Sequence, residues 1–368
     1  MSLLRRGTSV VLSLFVALLF YLFFWPVPVD PVAWDAPLDA GLVDPFGPDN
    51  RLQKAHLINL DNHAGPEDVA PGPDGLIYTG TNDGFIIRFD RTGRNLEVFA
   101  ATGGRPLGLE FDADGNLLIA NAELGLQRVS SAGRVETLAN SHGGRPILNT
   151  NDVAVAADGT IFFSSASSRF GAKESGGAYN ASLLDLMEHG GHGQVFRYLP
   201  DSGQIDVIAR QLNYANGVAI SDDQQFLMVV ETGNYRVLRL WLAGPKAGQK
   251  EIVIDNLPGF PDNINNGLNG RFWIGLVAPR NKLLDDMSGT PWLRKMVQRL
   301  PAFFRPKATP SSHVIAINAA GEVLMNLQDP DARIAALTGA SETRDSIWLS
   351  SLFGNYAARL DKIALGNP

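Results

Sequence analysis

The chain repeats one pattern of apolar and polar positions several times. In each copy a short apolar stretch is followed by a polar turn, often Asp-Gly, and then by a second apolar stretch. The clearest copy covers residues 215–223 and 226–232. Short apolar runs separated by a polar turn are typical of paired β-strands. The pattern therefore predicts successive antiparallel strand pairs.

The spacing of these copies predicts the fold. Their equivalent first positions are Glu67, Leu107, Asn151, Asn216, Asp262 and Thr338. Three of the steps between them are about 40–46 residues long, and the other two are longer. A period of this size, with about four short strands per unit, is typical of propeller blades. The sequence predicts an all-β fold, a six-bladed β-propeller, in which equivalent positions of successive blades face one central channel.

The N-terminal residues follow a different pattern. Arg5 and Arg6 precede an apolar run from Val10 to Trp25, which is close to the length that spans a bilayer. No Ala-x-Ala-like cleavage site follows, and the flanking charges favour a cytoplasmic N-terminus. We therefore expect a single-pass transmembrane helix that is retained, with the propeller on the extracytoplasmic side, periplasmic or lumenal. A cleaved signal peptide is the alternative.

These patterns together predict the domain organisation. The expected boundaries are 1–27 for a cytoplasmic stub and transmembrane anchor, 28–51 for a linker, 52–368 for the propeller, and about 171–193 and 281–312 for two insertions in it. A strand within 52–60 is expected to complete the last blade.

The second insertion contains a segment with helical spacing. Trp292, Met296 and Leu300 share one face of this predicted helix, and two phenylalanines end the segment 291–304. Three interpretations remain open. The helix docks on its own domain, covers the propeller mouth as a lid, or lies on a membrane surface.

Composition excludes several classes of function. The 368 residues carry a net charge of −7 without a basic stripe, which argues against nucleic-acid binding. Because the chain contains no cysteine, its stability comes from packing rather than from disulfides. No Gly-x-Ser-x-Gly elbow is present, so an α/β-hydrolase serine mechanism has no support. His189 and His192 are spaced as possible metal ligands, but their glycine-rich loop favours a solvated pair.

The equivalent first positions suggest a metal site. Glu67, Asn151, Asn216 and Asp262 offer carboxylate and amide oxygens from four blades, and Asn263 adds a fifth residue. Calcium prefers such hard oxygen ligands. Each residue taken singly is also a common turn cap at a strand entry. Their recurrence at one repeat position favours a Ca²⁺ site in the channel.

Several segments resemble the strictosidine synthase-like proteins. They are residues 105–109, 151–155, 165–170, 214–219, 244–248 and 255–264, and the resemblance spans about 52–360. It implies a membrane-tethered six-bladed propeller with arylesterase-type activity. In the wider group of paraoxonases, gluconolactonase and regucalcin, Glu, Asn and Asp residues hold a catalytic calcium. That set matches Glu67, Asn151, Asn216, Asp262 and Asn263 position by position.

Two features depart from the patterns of these relatives. Thr338 stands where strictosidine synthase uses a glutamate of its sixth blade, which disfavours condensation of an amine with an aldehyde. Leu107 and Ala122 stand where paraoxonases carry a histidine pair, which disfavours a histidine base.

The expected function is calcium-dependent hydrolysis of lactones or aryl esters. The metal would polarise the substrate carbonyl, and Asp262 would act as general base or as nucleophile. Arg105 and Arg169 are candidate substrate-binding residues, although surface salt bridges would explain them equally. The alternatives are a non-catalytic interaction propeller with a structural calcium and, less favoured, a condensing enzyme.

Overall fold

Six four-stranded antiparallel sheets account for most of the protein. A computed structural model describes residues 2–366, with side chains from residue 8 onward. Blades 1 to 3 comprise Val69–Pro71, Ile77–Gly80, Phe85–Phe89 and Glu97–Ala101; Pro106–Phe111, Leu117–Asn121, Gly125–Val129 and Val135–Ala139; and Thr150–Val155, Ile161–Ser165, Gly193–Leu199 and Gln204–Leu212. Blades 4 to 6 comprise Ala215–Ile220, Phe226–Glu231, Arg236–Trp241 and Lys250–Ile254; Gly259–Asn266, Phe272–Pro279, Ser312–Ile317 and Val323–Asp329; and Leu337–Glu342, Ser346–Ser351, Tyr356–Asp361 and His56–Asn59. The predicted six-bladed propeller is confirmed.

The last blade is closed by the N-terminal side of the propeller. Strand His56–Asn59 pairs antiparallel with Tyr356–Asp361, so that His56 faces Arg359 and Asn59 faces Tyr356. A strand from one end of the ring thus completes the blade at the other end, as the sequence predicted. This pairing joins the two ends of the propeller within one sheet and so closes the ring.

The apolar faces of neighbouring blades pack against each other. One cluster joins blades 1 and 2 through Ile86, Leu109 and Ile119, which are all buried. Another joins blades 3 and 4 through Phe162 and Leu227. The core therefore lies between blades, and the first strand of each blade remains available to line the channel.

Glycines follow three of the six equivalent first positions. A Cβ atom on Gly108 would collide with Asp152, one on Gly217 with the backbone of Asn263 and Ile264, and one on Gly339 would crowd Asn263. Only a residue without a side chain allows the inner strands to approach this closely. The glycines therefore bring the preceding residues of different blades together around the axis.

Four α-helices lie outside the sheets in the described part of the chain. They are α1 (Ser2–Phe24), α2 (Ala178–Glu188), α3 (Lys282–Asp286) and α4 (Pro291–Arg299). Helix α2 belongs to the segment between the second and third strands of blade 3. Helices α3 and α4 belong to the corresponding segment of blade 5. Short 3₁₀ turns occur at Arg51–Lys54, Thr232–Asn234, Gly244–Lys246, Leu268–Gly270, Ala302–Phe304 and Lys362–Leu365, and a small hairpin pairs Ser141–His142 with Arg145–Pro146.

The buried face of α4 differs from the predicted apolar face. Trp292 is 58% exposed, whereas Arg294 is fully buried. The guanidinium of Arg294 donates to the carbonyl oxygens of Met187, Ser288 and Val32. Such paired donors compensate for the burial of the charge. Helix α4 is therefore docked on its own domain through a polar core, which apolar periodicity does not reveal.

The C-terminal end of α1 packs on α4. The Tyr21 hydroxyl donates to the Arg299 carbonyl oxygen at 2.8 Å. The Arg299 guanidinium donates to the carbonyl oxygens of Leu22 and Trp25, and the ring of Phe23 stacks on Trp292 with centroids 6.4 Å apart. Among the residues with described side chains, no helix is both long and apolar enough to cross a bilayer, so the predicted transmembrane helix is not supported.

Candidate functional site

A cavity lies where the inner strands of several blades meet α2. Its volume is about 100 Å³. Polar lining comes from the channel residues Glu67, Asn151, Asn216 and Asp262. Apolar lining comes from Leu107, Tyr214, Phe260, Leu186, Met187 and Leu284, among others. The arrangement places a small polar group against walls that can bury an apolar substrate.

The polar residues carry oxygens without hydrogen-bond partners. The buried atoms Glu67 Oε2, Asn151 Oδ1, Asn216 Oδ1 and Asn263 Oδ1 accept no hydrogen bond within the described structure. Leaving one such atom unsatisfied costs about 1–3 kcal/mol. Four of them from four blades, gathered at the channel, indicate a ligand that accepts oxygen lone pairs. A cation meets that requirement, and a hydrogen-bond acceptor does not.

The orientation of two amides is fixed by their nitrogen atoms. Asn216 Nδ2 donates to Asp262 Oδ1 at 2.5 Å and to Thr232 Oγ1 at 3.1 Å. Asn263 Nδ2 donates to the Glu67 carbonyl oxygen at 2.9 Å. Because the nitrogens bind protein acceptors, both amide oxygens remain free. The two amide oxygens are therefore available to a ligand in the channel.

The donor set matches the preferences of calcium. It provides two carboxylates and three amides, all oxygen ligands of the kind that Ca²⁺ coordinates. Across residues 8–366, no group of three or more His, Cys, Asp or Glu side chains has an arrangement that could hold a metal ion. Ca²⁺ binding by the channel amides and carboxylates stays a prediction.

The two channel carboxylates are electrostatically strained in the absence of a cation. Burial raises the pKa of Glu67 well above its ordinary value, and the nearby Asp262 raises it further, while Arg105 acts in the opposite direction. Burial also raises the pKa of Asp262 to about 7, although its hydrogen bond from Asn216 lowers it. A bound dication would favour the ionised form of both groups.

A second tier of carboxylates was missed by the sequence analysis. The Asp68 carboxylate accepts a hydrogen bond from the backbone N–H of Leu109 in the next blade at 2.9 Å. The Asp152 carboxylate accepts a hydrogen bond from the backbone N–H of Val218, also in the next blade, at 2.7 Å. Each carboxylate thus links neighbouring blades. The available signal was the acidic residue that directly follows the first position in Glu67-Asp68 and Asn151-Asp152.

The predicted substrate-binding arginines do not line the cavity. Arg105 is 7% exposed and donates to the Gly65 carbonyl oxygen at 2.7 Å, in the field of Glu67. Arg169 forms an ion pair with the buried Glu188 at 3.0 Å, outside the channel. In this structure Arg105 serves as a counter-ion and Arg169 as part of a surface network.

The two loop histidines have separate structural partners. His189 is buried, stacks on Trp34 with centroids 4.0 Å apart, and has its pKa lowered to about 3 by burial. His192 pairs with Glu188 at 2.7 Å. The interpretation of a solvated pair was wrong for His189, because the linker residue Trp34 covers its ring.

The structure also shows the surroundings of the three residues that differ from the strictosidine synthase and paraoxonase patterns. Thr338 is fully buried and donates to the Glu67 carbonyl oxygen at 2.6 Å, which joins blade 6 to blade 1. Leu107 and Ala122 belong to a buried apolar cluster with Ala172. No ionisable side chain occupies any of these three positions.

Comparisons with known proteins agree with the architecture. A family model described as strictosidine synthase matches residues 151–245, and one described as the N-terminal part of strictosidine synthase-like proteins matches residues 44–89. Adipocyte plasma membrane-associated protein of Salmo salar is 30% identical, over 98% of this chain and 89% of its own. Strictosidine synthase-like protein 10 of Arabidopsis thaliana is 32% identical, over 81% of this chain and 85% of its own.

Solved propellers show the same fold at lower identity. A gluconolactonase from Xanthomonas campestris aligns with a TM-score of 0.61 and 18% identity, over 91% of this chain and 96% of its own. The calcium-binding protein regucalcin from Agrobacterium tumefaciens aligns with a TM-score of 0.56 and 15% identity, over 83% of this chain and 93% of its own length.

Proposed function

Because this chain belongs to the strictosidine synthase-like family, we propose that its channel site hydrolyses lactones or aryl esters with the help of Ca²⁺. The observation that carries the proposal is the set of four buried, unpartnered oxygens at the polar side of an apolar cavity. The solved propellers of this fold include a gluconolactonase and a calcium-binding protein, which is consistent with the proposal.

The residues that would hold the metal are Glu67, Asn151, Asn216, Asp262 and Asn263. Bound there, Ca²⁺ would polarise the substrate carbonyl and stabilise negative charge on its oxygen. The amide nitrogens of Asn216 and Asn263 keep the ligand oxygens aimed away from the protein. Arg105, which does not line the cavity, balances part of the negative charge of Glu67.

Asp262 is the group best placed to move a proton. One oxygen is held by Asn216, and Asp262 also lines the cavity. As a general base, its carboxylate would take a proton from water while the water oxygen attacks the carbonyl carbon. The ester C–O bond would then break, and the alcohol would leave with the proton that Asp262 had taken. As a nucleophile, the same carboxylate would attack the carbonyl carbon and expel the alkoxide, and water would then cleave the resulting anhydride, giving one proton to the alkoxide and restoring the carboxylate.

The walls of the cavity select apolar substrates. Leu107, Tyr214 and Phe260 are buried next to the polar residues and present no charged group. An aryl ester or a lactone ring can contact these side chains while its carbonyl meets the oxygens. Thr338 is engaged with Glu67 and Ser350, so the sixth blade offers no acid or base for a condensation.

Calcium affinity and turnover test the proposal together. Asn151→Ala and Asn216→Ala should each weaken Ca²⁺ binding by about tenfold or more, because each removes an oxygen ligand, while circular dichroism remains unchanged. Calorimetric titration measures the affinity. Wild-type turnover of phenyl acetate and of a lactone should follow calcium occupancy in the same titration.

The matched control is Asn50→Ala. Asn50 is exposed, and its side chain makes no capping hydrogen bond. This variant should bind calcium as the wild type does. Unchanged affinity in both channel variants would place the ligands elsewhere. Calcium binding without turnover on any ester or lactone would favour a non-catalytic interaction propeller with a structural calcium.

We also infer association with a membrane surface, in keeping with the name of the Salmo salar relative. Trp292, Phe303 and Phe304 are 58%, 72% and 62% exposed near the base of α1. Exposed aromatic side chains are favoured at membrane interfaces. An extracytoplasmic location remains a prediction.

Sedimentation with phosphatidylcholine vesicles tests this association. The full chain should sediment with the vesicles, and Phe303→Ser combined with Phe304→Ser should reduce the bound fraction because apolar contact area is lost. The control is Ile363→Ser, which changes a residue that is 92% exposed at the opposite end of the chain. Equal binding by all three proteins would refute a role for the aromatic segment.

A further inference from the structure

A second depression adjoins the site cavity. Its volume is about 540 Å³. The two share the lining residues Tyr179, Leu183, Met187, Pro306 and Lys307. The outer depression therefore lies directly beside the cavity, along α2 and the segment 306–308. We call this depression the α1–α2 groove.

The α1–α2 groove ends at the base of α1. Tyr21, Trp25 and the prolines Pro26 and Pro28 line that end. Trp25 is exposed and is the last residue of the N-terminal apolar run. The groove thus leads from the polar channel residues to the most apolar exposed part of the chain.

Three of the polar side chains that line the groove are engaged with the protein, and Gln298 and Lys307 line it as well. Arg299 donates to carbonyl oxygens of α1, Arg305 donates to the Leu300 carbonyl oxygen at 2.7 Å, and Asn180 donates to that of Gly176 at 3.0 Å. Much of the remaining lining is apolar and comes from Leu183, Leu184 and Met187. Such a surface suits an alkyl chain, which needs no hydrogen-bond partners.

The segment between groove and cavity is held in place. The Tyr179 hydroxyl accepts a hydrogen bond from the Ala308 N–H at 3.0 Å. The ring of Tyr179 packs edge-on against Phe353 with centroids 5.0 Å apart. Tyr179 therefore forms a fixed part of the wall of both the groove and the cavity.

On the premise of the proposed hydrolase, we propose that its substrates are esters or lactones with a medium or long alkyl chain. The reacting carbonyl lies at Asp262 and its neighbours, and the alkyl chain lies in the α1–α2 groove. Both the shared lining and the apolar end at Trp25 support this occupant. The groove is thus a specificity site that acts through substrate binding.

Chain length provides the kinetic test. Burying one methylene is worth a factor of about three to four in binding, so kcat/KM should rise by that factor per added CH₂ until the groove is filled. Full-length protein in lipid nanodiscs is assayed with p-nitrophenyl esters from two to twelve carbons, each below its critical micelle concentration. The rise in kcat/KM should come mainly from a lower KM, with kcat nearly constant.

Ala302→Trp is the variant that fills the groove. Ala302 lines it from the exposed 3₁₀ turn Ala302–Phe304, so a larger side chain does not disturb the core. The ratio of kcat/KM for the ten-carbon ester to that for the acetate should fall at least tenfold. Ala320→Trp, in an exposed turn of blade 5, should leave this ratio unchanged. An equal ratio in both variants would overturn the proposal.

A second readout does not depend on turnover. A ten-carbon fatty acid with a diazirine near its methyl end is photolysed with the protein, and the labelled peptides are identified by mass spectrometry. Label in residues 21–28 or 298–307, competed by decanoate and reduced in Ala302→Trp, supports the groove even if no ester is hydrolysed. Label elsewhere only, with or without ester turnover, refutes the groove assignment.

Discussion

Asp262→Asn should lower turnover of phenyl acetate and of lactones by about 10²–10⁴-fold at saturating calcium. A positioned acid–base group typically contributes a factor of this size. The asparagine keeps one oxygen that can bind a cation, but it lacks the basic lone pair of the carboxylate. Loss of rate that persists when calcium is saturating therefore reports on proton transfer or nucleophilic attack rather than on metal affinity.

The structure gives a reason to separate these two roles. Asp262 Oδ1 is occupied by the Asn216 amide, and Asp262 lines the cavity where a substrate would lie. Glu67 is the other channel carboxylate, but Arg105 and the Asn263 amide stand close to it. Asp262 thus combines an orientation fixed by Asn216 with a place on the cavity wall, which suits a proton acceptor.

Asp345→Asn is the matched control, because Asp345 is exposed and far from the channel. It should retain full activity. The calcium affinity of each variant is measured beside its rate, since a weakened ligand set is rescued by more calcium and a missing base is not. Full activity of Asp262→Asn at saturation would leave Asp262 as a ligand only.

The fold was predictable because its information is periodic. Each blade repeats the polar turn between two apolar strands, and the residues that open the repeat share one environment in the ring. The same logic gathered Glu67, Asn151, Asn216 and Asp262, which all line one cavity. Periodicity identifies such positions without any knowledge of distant contacts.

Other features depend on contacts between remote segments. Arg294 is buried because carbonyl oxygens of the linker and of α2 accept its hydrogen bonds. His189 is buried because Trp34, more than 150 residues earlier in the chain, stacks on it. Neither partnership leaves a local pattern, so helical spacing and loop composition gave the wrong exposure for α4 and for His189.

The metal-free protein should become less stable as the pH rises from about 4 to about 7. The folded pKa of Asp262 is about 7, against 3.8 for an ordinary aspartate. Between these values the folded state holds a proton that the unfolded state has lost, so the free energy of unfolding decreases with pH. At 1.36 kcal/mol per pKa unit, Asp262 alone accounts for roughly 4 kcal/mol above pH 7. The raised pKa of Glu67 also makes the free energy of unfolding decrease with pH.

Two buried histidines make the protein more stable as the pH rises, and their contribution must be separated from that of the carboxylates. Burial lowers the pKa of His189 to about 3 and that of His313 to about 4, so stability gained from these residues increases with pH up to about 6.5. Neither lines the cavity. The difference in melting temperature between calcium-loaded and metal-free protein cancels their contribution.

Calcium should therefore raise the melting temperature by several degrees more at pH 8 than at pH 5. At pH 5 Asp262, with its pKa of about 7, holds a proton that metal binding must displace, and the raised pKa of Glu67 acts in the same direction. At pH 8 the metal relieves repulsion that the folded state otherwise carries. Calorimetry with a chelator and with excess calcium measures the difference at each pH, and Asp262→Asn should reduce its pH dependence. An equal calcium effect at both pH values would show that these carboxylates are not its ligands.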